Sequence, residues 1–280
     1  MGRSPDARSH RPSHTRRMAD IEINNVRLYY EEHGTGEPIL CIHGTGSSTE
    51  LWRAPAATLA TRGRTIIYDR RGFGRSERPE PFVTNVPQQT DEAAALLDAL
   101  GAAPAVVIGR SHGGEIAADL ALRYPEHVRA LALLEGGGLT LSAAFRGWLE
   151  DVRDLVFAAA ETDMGTVGEV FLRAVLGDDA WEETPEEVRR VFTENGPAMV
   201  AEERGGLLGA SASELAAISQ PTLVVGARDS GPAFAEATEL TAQAIPSARL
   251  EWVEGGHLID AAHPAVLAFV DEVLASSAVS

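Results

Sequence analysis

Six residues, Gly109-Arg110-Ser111-His112-Gly113-Gly114, constrain this chain more than any others. They follow an apolar run, AVVI at 105–108, and precede EIAADLALRY at 115–124, whose apolar spacing is helical. A serine in G-x-S-x-G between a strand and a helix needs a turn with no room for side chains beside it, and the glycines supply that room. Such a turn lifts the hydroxyl above the sheet edge and sets a helix N-terminus behind it, which favours developing negative charge. A phosphate-cradling loop would need Lys after the last glycine, where Glu115 stands, and no G-x-G-x-x-G spacing is present.

The rest of the chain suits such a turn. Short apolar runs at 38–42, 65–68, 105–108, 130–134, 222–225 and 249–253 alternate with helical patterns near 50–62, 88–100, 112–123, 233–244 and 264–275. That alternation predicts an α/β fold with a mostly parallel sheet flanked by helices. Asn24-Asn25, inside IEINNVRLYYEEHG, marks a hairpin turn before the first parallel strand. Residues 139–210 break the rhythm with amphipathic helical pattern and no strand-like run, so they read as a helical insertion between two strands. The core then comprises 20–138 and 211–280. Residues 1–19, with five Arg, one Asp and no apolar periodicity, are expected to be a disordered tail, with Met18 as an alternative start.

Charge and composition exclude several chemistries. The 280 residues carry a net charge of −17, so nucleic-acid backbones and anionic membranes are poor partners. All 24 basic residues are Arg, which removes lysine Schiff-base chemistry. A lone cysteine, Cys41, leaves no intrachain disulfide and no multi-cysteine metal site. No apolar run reaches membrane-spanning length and no signal-peptide pattern opens the chain, so a cytoplasmic location is expected. No metal and no cofactor are expected.

Two further motifs fall at strand ends. His43-Gly44-Thr45-Gly46 follows the run PILCI and exposes backbone N–H groups at the carboxyl edge of the sheet, where open α/β sheets bind ligands. The N–H of Thr45, with that of His112, suits an oxyanion hole, while the His43 side chain suits a structural role. Gly255-Gly256-His257 lies just past the last strand, and His257 is the one histidine placed to act as general base for Ser111.

With HGTG at 43–46, DRRGFGRS at 69–76, GRSHGG at 109–114, RYPEHVRAL at 123–131, GARD at 226–229 and GGH at 255–257, the chain resembles the α/β-hydrolase superfamily over residues 21–277. The likeness is to the lid-bearing serine esterases and lactonases, and DRRGFGRS is similar to a stretch of cofactor-free haloperoxidases. The resemblance implies a Ser–His–acid triad with two candidates for the acid. Asp229, after the run TLVV, stands at the usual position and is preferred. Glu135, after ALALL, is the alternative and resembles the arrangement of fungal zearalenone lactonases. A plain turn at Asp229, or an ion pair of Glu135 with Arg110, would explain either residue without catalysis. Related epoxide hydrolases and haloalkane dehalogenases carry Asp where Ser111 stands, so their alkylation chemistry is not expected.

The resemblance makes the insertion at 139–210 a lid over Ser111. Trp148 and Trp181 in it, Trp52 after HGTG, and Arg110 beside the serine are candidate substrate contacts. The expected reaction is cleavage of an ester or lactone of a neutral, moderately apolar small molecule through an acyl-enzyme. Rivals on the same triad are carbon–carbon hydrolysis and perhydrolase or haloperoxidase activity; a non-hydrolytic receptor or a cyclase would use only the pocket. The insertion holds fifteen acidic residues against six Arg, a net −9, which should repel anionic substrates.

Overall fold

The computed structural model describes residues 16–277 apart from 81, 83, 207 and 208. Eight strands form one sheet: β1 (Arg16–Ile23), β2 (Val26–His33), β3 (Pro38–Ile42), β4 (Arg64–Tyr68), β5 (Ala105–Arg110), β6 (Val128–Leu134), β7 (Thr222–Ala227) and β8 (Ala248–Val253). Their order is β1-β2-β4-β3-β5-β6-β7-β8. β1, β2 and β4 pair antiparallel, and every other neighbour pair is parallel. Asn24 and Asn25 form the β1–β2 turn with φ of 51° and 61°, the left-handed values a tight hairpin demands.

The expected tail boundary is wrong by four residues. Arg16–Ala19 belong to β1 and pair with Tyr30–His33. The cause is a buried acid: Glu31 is fully buried, and Arg16 Nη2 stands 2.8 Å from its carboxylate. A charge that reads as solvated in the sequence is thus a partner for a carboxylate in the sheet. Residues 1–15 lie outside the described residues.

Alternation along each strand sorts the core into two layers. Leu40 and Ile42 of β3 face α2 (Val86–Ala99) and α3 (His112–Arg123), whereas Ile39 and Cys41 face α1 (Thr49–Leu59) and α11 (Pro264–Ser277). Parallel strands covered on both faces must be apolar throughout, which is why PILCI and AVVI carry no polar side chain. α10 (Pro232–Ala244) leads from β7 to β8.

Between β6 and β7 lie α4 (Ala143–Thr162), α5 (Val167–Leu176), α6 (Asp178–Glu183), α7 (Glu186–Glu194), α8 (Gly196–Gly205) and the short α9 (Ala212–Leu215). The insertion has its own apolar core, in which Val152, Val156, Leu172, Phe192 and Met199 meet Phe73 of the main body. Among the described residues no helix is long and apolar enough to cross a membrane.

β3 lies at the centre, with β4 on one side and β5 on the other. The chain reverses its direction of winding there, which opens a crevice at the carboxyl ends of β3 and β5. The HGTG turn leaves β3 at this crevice, and the serine turn leaves β5.

Candidate active site

Ser111 sits between β5 and α3 with φ 54° and ψ −126°, a strained backbone for a residue with a side chain. The neighbours hold it there. A Cβ on Gly113 would lie 2.2 Å from Ile42 O, and one on Gly136 would lie 2.3 Å from Ser111 O. No side chain fits at either glycine, so the turn packs backbone against backbone. Ser111 N donates to Leu134 O at 2.9 Å, which ties the turn to β6.

His257 is buried, and its Nδ1 lies 2.7 Å from Glu135 Oε2. Glu135 is fully buried one residue beyond β6, at φ 44°. Two more donors fix its carboxylate: Ala227 N at 2.9 Å to Oε1 and Ser230 Oγ at 2.8 Å to Oε2. Three hydrogen bonds aim the carboxylate oxygens. The Phe234 ring lies 4.1 Å from the imidazole, centroid to centroid, and limits its rotation.

The preference for Asp229 is therefore corrected. Asp229 is exposed, and its N–H donates to Gly255 O at 3.0 Å. The turn after β7 points Ser230, not Asp229, at the histidine site. Glu135 lies between the β5 turn and β7, within reach of His257, and its extra methylene covers the distance. It forms no ion pair with Arg110. Arg110 donates to Ile259 O at 3.1 Å and lies over the Trp52 ring at 5.1 Å.

The HGTG turn and the start of α3 face each other across Ser111. Thr45 and His112 both line one cavity, and among the described residues neither backbone N–H has a hydrogen-bond acceptor. His43 is buried in a structural role, its Nδ1 2.8 Å from Gly44 O and its Nε2 accepting from Arg70 N at 3.0 Å.

A buried polar cluster that the sequence did not reveal supports this turn. Glu202, on α8, accepts from Thr45 Oγ1 at 2.6 Å, and its Oε1 lies 3.1 Å from His112 Nε2. The fully buried Arg70 donates to both Glu202 and Gln89. Burial alone would raise the Glu202 carboxyl, but the Arg70 and His112 charges, with hydrogen bonds from Arg70 and Thr45, hold it down to about 2. Burial lowers His112 to about 4, against the pull of Glu202, so its ring is uncharged near neutral pH and carries charge only in the acid range where Glu202 itself titrates. Nothing in the spacing of Arg70 and Glu202, 132 residues apart, signals that they meet.

Ser111 and His257 open onto a cavity of about 470 Å³. Its walls include Phe145, Trp148, Phe171 and Phe234, so Trp148 stands where the sequence reading put it. Trp52 and Trp181 do not line it. Trp52 is 2% exposed in the core beneath Arg110, and Trp181 packs inside the insertion with Arg189 over its ring at 5.6 Å. Arg110 lines a second, smaller cleft of about 310 Å³ that also reaches Ser111 and His257. Phe145, Phe234, Ser230 and the two glutamates of α8 were missed, because each is set by packing between elements and not by a local motif.

Comparison with known proteins identifies the family of the chain. The chain is 32% identical over 244 residues, 85% of its length and 91% of the relative's, to a protein of Azorhizobium caulinodans named "Putative carbamate hydrolase RutD". It is 29% identical over 239 residues to 2-hydroxymuconate semialdehyde hydrolase of Pseudomonas putida, covering 82% of this chain and 84% of that one. Among solved structures, Est816, described as an N-acyl homoserine lactone degrading enzyme, superposes with a TM-score of 0.71 at 26% identity. That match covers 92% of this chain and 99% of Est816. Residues 37–263 match the family of the alpha/beta hydrolase fold, and the chain belongs to that family of hydrolases.

Proposed function

We propose that this protein is a serine hydrolase that cleaves a carboxylic ester or lactone of a small, moderately apolar molecule through an acyl-enzyme. One observation carries the reading: a histidine held by a buried, triply hydrogen-bonded glutamate opens onto the same cavity as a serine on a strained strand-to-helix turn. His257 Nε2 takes the Ser111 proton as Oγ attacks the carbonyl carbon. Glu135 keeps Nδ1 protonated and stabilises the imidazolium that forms. The N–H groups of Thr45 and His112 receive the oxyanion, and each such donor contributes on the order of 10²- to 10³-fold in rate. His257 returns the proton to the leaving alcohol; water activated by the same ring then releases the acid.

The aromatic walls support an apolar substrate, and the likeness to Est816, named for lactone degradation, supports a lactone as well as an open ester. A second reading, hydrolysis of a carbon–carbon bond next to a ketone, is favoured by the likeness to a semialdehyde hydrolase. The cavity speaks against that substrate: a muconate derivative is an anion, and Glu202 and Glu203 line the space where it would bind. A panel of aryl esters, alkyl esters and lactones, run beside a dienol ketone and the Ser111→Ala variant, decides between them. Ester or lactone turnover abolished by Ser111→Ala is expected. Turnover of the dienol ketone alone would favour the second reading, and ester turnover that survives Ser111→Ala would end the first.

A further inference from the structure

The two adjacent glutamates on α8 differ in how they are satisfied. Glu202 accepts hydrogen bonds from Arg70 and Thr45, and His112 Nε2 lies 3.1 Å from it. Glu203 is 9% exposed and lines the same cavity, yet among the described residues its carboxylate accepts no hydrogen bond. Its one charged partner is Arg153 of α4, whose Nε stands 3.8 Å away, beyond hydrogen-bond distance, on a side chain about one-third exposed to solvent. Burial and then the neighbouring Glu202 charge push the Glu203 carboxyl up to about 7, only partly countered by Arg153. Arg153 alone, at 3.8 Å and in contact with solvent, leaves this buried carboxylate only partly compensated.

The rest of the cavity has the surface that a cation would use. Among the described residues no Lys or Arg lines it. Phe145, Trp148 and Phe234 form one contiguous cluster, with ring centroids 5.0 to 5.2 Å apart. Aromatic faces attract ammonium groups, most strongly where water is excluded. The smaller cleft that also reaches Ser111 has a different character, with Arg110 in its wall. The two spaces that meet at the nucleophile therefore differ in charge.

We propose that the larger cavity selects substrates bearing a protonated or quaternary amine on the part of the molecule remote from the scissile carbonyl. Glu203 is its carboxylate partner, and the Phe145–Trp148–Phe234 rings form its wall. This specificity rests on the serine hydrolase reading above and extends it from apolar esters to cationic ones. The net −9 of the insertion acts in the same direction by raising the local concentration of cations at the entrance.

The test uses isosteric ester pairs that differ only in charge. Butyrylcholine is compared with 3,3-dimethylbutyl butyrate, which places the charge on the alcohol. Phenyl 4-(trimethylammonio)butanoate is compared with phenyl 5,5-dimethylhexanoate, which places it on the acyl group. At pH 8 and low salt, the charged member of at least one pair should show a kcat/KM about tenfold higher or more. In Glu203→Gln that ratio should fall to near one. Charged and neutral members turning over equally in both pairs would overturn the proposal in the wild-type protein, without any variant. An unchanged ratio in Glu203→Gln would overturn it as well. Should no ester be hydrolysed, the serine hydrolase reading fails separately. Calorimetric titration of the Ser111→Ala protein with the same pairs then decides the charge preference, tighter binding of the cation supporting it and equal binding overturning it.

Discussion

Glu135 shows how one residue's surroundings decide its role. Its carboxylate receives His257, Ser230 and the Ala227 N–H, while Asp229, the residue before Ser230, faces solvent. Glu135→Gln should therefore lower kcat by about 10³- to 10⁴-fold, because an amide can hold the imidazole in the wrong tautomer and cannot stabilise its charged form. Asp229→Asn should stay within about threefold of wild type, as a surface change far from such features does. Steady-state kinetics on any accepted ester measure both, and the reverse pattern would restore Asp229 as the acid. That Ser111, His257, Thr45 and His112 would meet at one crevice was legible in the sequence because a strand-to-helix turn and a strand-end loop are local objects with local glycine requirements. The choice between Glu135 and Asp229 was not, since both follow strands of the same sheet. What separates them is which side chain the β7 turn points inward, and that depends on contacts 92 to 122 residues apart.

At the scale of elements, one side chain of the insertion ties two loops of the main body to it. Asn195, between α7 and α8, donates from Nδ2 to Gly46 O at 3.0 Å and Ser47 O at 3.1 Å. Its Oδ1 accepts from Gly74 N at 2.9 Å. One buried side chain thus joins the insertion to the turn after β3 and to the loop after β4. Asn195→Ala should cost about 2 to 3 kcal/mol, because it leaves buried backbone groups without partners. It should also raise KM, since α8 carries the cavity glutamates. Urea unfolding and initial rates read the two effects; an unchanged midpoint with unchanged KM would show that the Glu202 cluster and the apolar contacts of Phe73 and Phe192 hold the insertion without Asn195. The strands and their order of type were readable from apolar runs, and the insertion from the missing strands. The place of β1 was not readable, because its first residues are arginines whose partner, Glu31, is buried in the facing strand.

For the whole molecule, buried carboxyls set how stability depends on pH. Asp69, Glu115 and Glu203 are pushed up to about 6, 7 and 7, burial being the largest cause for each. The folded chain then keeps protons that the unfolded chain has lost above its ordinary carboxyl range, so stability falls as pH rises from about 5 to 7. Glu31 and Glu202 act in the opposite direction. Burial would raise them, but His33, Arg53 and Tyr29 in one case and Arg70 and His112 in the other hold them down to about 2. Their contribution is present above the ordinary carboxyl range and is lost as pH falls toward 2. Urea midpoints should therefore be higher near pH 5.5 than at pH 8, and Glu115→Gln should flatten that difference. Equal midpoints would show that water relieves these carboxyls.

Ser111 is the proposed nucleophile. Labelling with a fluorophosphonate, followed by trypsin and mass spectrometry, tests it most directly, since cleavage after Arg110 and Arg123 isolates residues 111–123 as one peptide. The adduct is expected on Ser111 in the wild-type and Asp229→Asn proteins, formed far more slowly in Glu135→Gln, and absent in Ser111→Ala. An adduct elsewhere in the wild-type chain, or labelling that persists in Ser111→Ala, would contradict the assignment of Ser111, His257 and Glu135 as one catalytic unit.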